Sequence, residues 1–186
     1  MLRVLLMSVV GGLLLVPAPA PGELGQLHGS LTEGLDYDAS RSRGYEQATS
    51  SAHGVSEIAI ERDPGAIEGP SYTAVLSADG SIRFEGRRHP TRQGVYAGTT
   101  SRWEFDALAQ FIVDAGYMGY EHTYTARVFD LSTVYTSVVY RGERHMVRHD
   151  ARAGPPALWA TEQILDKLLD EADWHRVGDL SDTRAR

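Results

Sequence analysis

The stretch Tyr72-Thr73-Ala74-Val75-Leu76-Ser77, then Ala78-Asp79-Gly80, then Ser81-Ile82-Arg83-Phe84-Glu85 decides the fold. Two short runs suited to strands flank Asp79-Gly80, and Asp-Gly favours the tight primed turn that joins antiparallel strands. Ile82 and Phe84 alternate with Ser81, Arg83 and Glu85, so one face of this hairpin is buried and the other is wet. An antiparallel sheet with a core on one side follows.

Upstream, Val55 to Arg62 (VSEIAIER) reads as an N-terminal strand, and Asp63 to Pro70 as a Pro/Gly loop. Downstream, Val95 to Thr99 is a candidate fourth strand. Ser101 to Ala115 reads as a helix. Ser101 can cap it, with Glu104 at the capping-box spacing. Phe105, Leu108, Ala109 and Ile112 fall on one stripe. Gly116 is placed to end the helix in a left-handed conformation.

Val134–Tyr140 and Glu143–His149 form a second hairpin about Arg141-Gly142. Gly154-Pro155-Pro156 then opens a helix to about Ala172, since proline suits the first helical turn. Its buried stripe is Leu158, Thr161, Leu165, Leu168, Leu169 and Ala172, and Trp174 pins its end. The expected class is α+β: an antiparallel sheet from two hairpins plus an N-terminal strand, with two helices packed on one face. Tyr72-Thr73 recurs as Tyr135-Thr136 and hints at an internal repeat.

The ends carry a different message. Met1-Leu2-Arg3, an apolar run Val4–Val16 and the small, Pro-rich Pro17–Gly22 have the plan of a secretory signal peptide. A membrane span needs ~20 apolar residues, more than this run supplies. Residues 23–54 read as a disordered linker, rich in Gly, Ser, Thr and acids. The domain is expected over 55–175, followed by a flexible tail, 176–186. Export to the periplasm or the cell exterior follows from the leader.

The formal net charge is −7, so there is no global attraction for nucleic acid or anionic lipid. There is no cysteine. The fold must therefore hold by packing alone, and a thiol nucleophile, Cys-ligated zinc and iron–sulfur chemistry are all excluded.

The run IERDPGAIEGPSYTAVLSADGSIRFEGRR resembles the opening of the domain-of-unknown-function family 6438 of exported bacterial proteins. Glu61-Arg62, Pro70, Tyr72, Asp79-Gly80 and Phe84-Glu85-Gly86 match its pattern in order. Tyr124, Asp130, Thr136, the Gly-Pro-Pro before the last helix and Trp174 continue the match. The family loop usually carries two cysteines around a glycine; here Asp63 and Gly69 stand near those positions. Either a staple has been replaced by packing or a chemistry has been lost. The resemblance implies a fold and a compartment, and no activity.

Several constellations hold residue types suited to chemistry. His145 and His149 share a strand face with Val147, with Asp150 adjacent. Histidines four apart on a strand lie ~13 Å apart, too far to share a metal, so they read as surface or edge histidines beside a core valine. His89, His122 and His175 are scattered, and no HExxH spacing occurs. Arg87, Arg88, His89 and Arg92, and Arg141, Arg144, Arg148 and Arg152, are basic clusters. They suit an anion or acidic partner, or a solvated face balanced by acids, which the negative net charge favours. Trp103, Tyr117, Tyr120 and Tyr124 suggest an aromatic platform, although Tyr117 and Met118 fit core positions better. Glu57 with Glu61, and Glu121 with Asp130, are acid pairs whose separation decides whether they could hydrolyse a glycoside. No GxSxG, P-loop or GxGxxG is present.

No catalytic, cofactor or metal residue is therefore assigned. The expectation is a non-catalytic binding or interaction module of the cell envelope, with an envelope protein or glycan as the partner class and no cofactor. The alternative is a small hydrolase of unfamiliar type using carboxylates or histidines.

Overall fold

The computed structural model describes residues 51–65, 68–89, 91–126 and 132–178. The leader expected over 1–22, most of the expected linker, Asp130 and the last eight residues lie outside the described residues. Within them the order is β1 (Val55–Asp63), β2 (Ser71–Ser77), β3 (Ser81–Arg88), β4 (Gly94–Thr99), α1 (Arg102–Asp114), a 3-10 turn (Tyr117–Gly119), β5 (Thr123–Tyr124), β6 (Thr133–Tyr140), β7 (Glu143–Asp150), α2 (Pro156–Glu171) and β8 (Asp173–Gly178).

The fold is α+β, and its sheet is larger than the sequence suggests: eight strands in the order β5-β7-β6-β1-β2-β3-β4-β8. Every pair is antiparallel except the short β5–β7 pair. The N-terminal strand lies at the centre, with one hairpin on each side. The tail expected from residue 176 starts inside a strand. Trp174, Arg176 and Gly178 of β8 pair with Gly98, Tyr96 and Val95 of β4. Asp, His and Arg in a short edge strand mask it in sequence, because an edge tolerates and uses charge. The end of the expected linker also packs on the domain: Ser51 is buried and its hydroxyl accepts from the Val55 amide at 3.2 Å.

The two hairpin turns exchange character. Ala78-Asp79-Gly80 is a three-residue loop in which glycine alone has positive φ, +89°. The tight primed turn instead lies at Arg141-Gly142, with φ of +50° and +83°, directly between paired Tyr140 and Glu143. A two-residue primed turn needs positive φ at both positions, and a third loop residue relieves Asp79 of that demand.

Alternation sorts each strand between two faces. Ile58, Ile60, Tyr72, Ala74, Leu76, Ile82, Phe84, Val134, Val138 and Val147 form one cluster with Phe105, Leu108, Ala109 and Ile112 of α1 and Leu158, Leu165, Leu168 and Leu169 of α2. Both helices therefore cover this face. The Ser101–Glu104 capping box forms as expected, and Gly116 is left-handed at φ +68°. Trp174 packs against the cluster, and a Cβ at Gly98 would lie 2.6 Å from its ring. The opposite face carries Glu57, Ala59, Glu61, Thr73, Val75, Arg83, Glu85, Arg87, Tyr135, Ser137, Arg144 and Met146. Tyr72 and Tyr135 thus fall on opposite faces, so their shared Tyr-Thr dipeptide does not mark equivalent positions.

Candidate functional site

A cleft of about 190 Å³ opens where β1, β2 and β3 meet the C-terminal half of α2. Arg62, Tyr72, Phe84, His89, Arg92 and Asp166 line it, with Asp170 at the rim. It is smaller than the ~300–1,000 Å³ typical of drug-sized ligand sites, so it suits one ring or one short chain.

Each wall has a local cause. Tyr72 and Phe84 alternate inward on paired strands and stack, with centroids 5.1 Å apart. His89 follows β3 and meets both rings edge-on, at 5.6 and 5.2 Å. The chain after it folds back across Gly86, where a Cβ would lie 1.9 Å from the Arg92 carbonyl oxygen. Only glycine permits that approach. It brings the Arg92 guanidinium over Phe84 and Trp174, at 5.7 and 5.0 Å. Arg92 Nη2 then donates to the Leu169 carbonyl at 2.8 Å, satisfying an acceptor near the end of α2.

The polar wall is a connected network. Arg62 Nε and Nη2 donate to Asp166 Oδ1 and Oδ2 at 3.1 and 2.5 Å, a two-pronged pair. The Tyr72 hydroxyl also donates to Asp166 Oδ1 and accepts from Arg62 Nε at 3.2 Å. Burial, then the charge of Asp166, pushes the Tyr72 phenol far above its ordinary range. Burial works against the charge on Arg62, but Asp166, Tyr72 and Glu162 together hold it more firmly protonated. Glu162 Oε2 stands 4.0 Å from Arg62 Nη2. Its Oε1 accepts from His149 Nε2 at 2.5 Å, with both side chains almost wholly buried. His149 Nδ1 is buried without a partner.

His149 is therefore not the surface or edge histidine that its strand position suggests. It faces the core beneath α2, and its partner Glu162 lies in the helix's buried stripe, where a charge is not expected from sequence. His145 lies apart, near the β5 edge, 4.6 Å from the His122 ring. Burial, then His122, lowers its pKa. The described residues hold no group of three or more His, Cys, Asp or Glu fit for a metal.

The other candidates disperse. Tyr117 is core, bonding the Thr136 hydroxyl at 2.7 Å, and Met118, Tyr120 and Tyr124 pack against the core. Trp103 is 76% exposed on α1 and joins no platform. Glu57 and Glu61 share the open face, but each takes its own arginine: Arg144 at 2.7 Å and Arg87 at 2.8 Å. Arg83–Glu85 and Arg148–Asp150 complete a face of paired charges. Of the two basic clusters only His89 and Arg92 reach the cleft. Sequence could have signalled it through Gly86, a glycine inside an alternating strand, which marks a close approach.

The family model described as Domain of unknown function (DUF6438) matches residues 56–169. That is more than half of the chain, and the protein belongs to this family. No curated protein matches it in sequence. The stretch Asp63–Pro70, where the resemblance implied cysteines, holds none. Among the described residues no helix is long and apolar enough to cross a membrane.

Proposed function

We propose that the protein is an exported, non-catalytic binding module of the cell envelope, and that the cleft seats its ligand. The observation that carries this reading is the state of the cleft's acid–base groups. Asp166 is tied by Arg62 and Tyr72. His89 Nδ1 accepts from the Thr91 and Arg92 amides at 3.3 and 3.2 Å. A general base needs an open lone pair within reach of its proton, and these two groups have spent theirs on holding the walls in place. Fixed polar groups beside stacked rings are instead what recognition requires. The signal-peptide-like pattern of residues 1–22 supports export, and the acidic net charge supports a partner other than nucleic acid.

A small hydrolase remains the second reading, because His89 shares the cleft with two carboxylates, Asp166 and Asp170. The test is thermal unfolding of the full-length protein against muropeptides, neutral and acidic oligosaccharides and envelope-protein extracts. A ligand at ~100 times its Kd adds ~2.7 kcal/mol, several degrees of midpoint. A shift with the added compound recovered unchanged supports the module. Cleavage of the compound moves the assignment to the hydrolase, and a flat panel contradicts ligand binding.

A further inference from the structure

Counting donors and acceptors around the cleft gives an imbalance. Its inner carboxylate is largely engaged: Asp166 Oδ1 takes the Tyr72 hydroxyl and Arg62 Nε, and Oδ2 takes Arg62 Nη2. The Tyr72 oxygen accepts from Arg62 and has its proton committed. On the donor side, Arg62 Nη1 has no acceptor among the described residues. Nor does Arg92 Nε, which is buried. With His89 Nδ1 accepting two amides, the ring's proton belongs on Nε2, which also has no acceptor among the described residues. The counter-charge for Arg92 is Asp170, which is mostly exposed and only 3.4 Å distant at the rim. Arg92 is therefore the less neutralised of the two cations.

We infer that the cleft is a carboxylate-recognition site for a small ligand whose carbon skeleton lies against Tyr72 and Phe84. This rests on the binding-module reading. A carboxylate brings acceptors and no donors, and so answers the donors left open at Arg62 Nη1 and His89 Nε2, and its planar oxygens match a guanidinium fork. Two envelope sources present that group on a small skeleton: the free C-terminus of a peptide and a sugar acid.

The experiment is an NMR titration of the full-length protein with two matched pairs. These are D-alanyl-D-alanine against its C-terminal amide, and galacturonic acid against galactose. Each acid should bind at least ~10-fold more tightly than its neutral partner, the scale of one lost charge-assisted hydrogen bond. The peptide and sugar arms separate the two sources. His89→Phe keeps the ring packing but removes both Nε2–H and the Nδ1 acceptor of the Thr91 and Arg92 amides, so some loss of stability is expected. The readout is the acid-to-neutral affinity ratio of the folded variant, which should fall toward one while the neutral partner binds as before. Arg92→Gln removes the guanidinium along with its bond to the Leu169 carbonyl, and is read by the same acid-to-neutral ratio, which should also fall toward one. Equal binding of acid and neutral partner overturns the carboxylate inference and leaves the module standing. No binding by either acid at ~10 mM overturns it as well; the broader unfolding panel then decides the module separately.

Discussion

The two faces of the sheet both bury acids, and they do so by different means. Under the helices, Glu162 is 1% exposed, sealed by α2 itself and joined through His149, Arg62, Asp166 and Tyr72 into one chain of contacts that ends at the cleft. On the open face Glu57 is 3% exposed, yet among the described residues no helix lies over it. Arginines pair with the acids there: Arg144 of β7 and Arg87 of β3 each reach across one strand to Glu57 and Glu61 of β1, and Arg83 pairs with Glu85 on its own strand. Burial by a helix is permanent while the fold lasts. Burial by a side chain ends when that side chain is trimmed. The first arrangement builds a rigid site; the second protects a sheet face.

The largest effect expected from this contrast is at Glu162. Glu162→Leu strands His149 in the core and should cost ~3–5 kcal/mol, seen as a lower urea midpoint at unchanged slope. On the other face, Arg144→Ala opens Glu57 to water and should cost less, ~1.5–3 kcal/mol in the same assay. Equal losses would erase the distinction between the faces.

Glu61 sharpens the comparison through pH. Burial raises its carboxyl to about 7 against the pull of Arg87, and one of its oxygens is buried without a partner. The native state keeps this proton while the unfolded chain releases it near 4.5, so this group's contribution falls as pH rises from 4.5 to 7 and is level above. Glu61→Gln should remove that fall and be the more stable form at pH 8. A parallel pH profile in both proteins would contradict it. The smallest effect is at the cleft: Tyr72→Phe removes one hydroxyl from a carboxylate that keeps Arg62, and should cost ~1 kcal/mol by chemical unfolding.

The sequence made one face far more legible than the other. Apolar residues at period two and period 3.6 identify the covered core from Ile58 to Leu169, because burial against a helix demands hydrocarbon at a fixed spacing. Glu162 was hidden because a glutamate at one position of an apolar stripe looks like a register error until His149 is brought beneath it across the sheet. The cleft was hidden for a similar reason. Arg62, Tyr72, His89, Arg92 and Asp166 come from four separate segments, and only the loop crossing over Gly86 gathers them. Strand β8 escaped notice because Trp174 and Val177 stand among charges, as edge strands allow.

The most direct test is to map amide shifts when the full-length protein is titrated with a soluble muropeptide mixture. Shifts should gather at Tyr72, Phe84, His89, Arg92 and Asp166, at the edge of the helix-covered face. Shifts spread over Glu57, Thr73, Arg83 and Ser137 would place binding on the open face and contradict binding in the cleft.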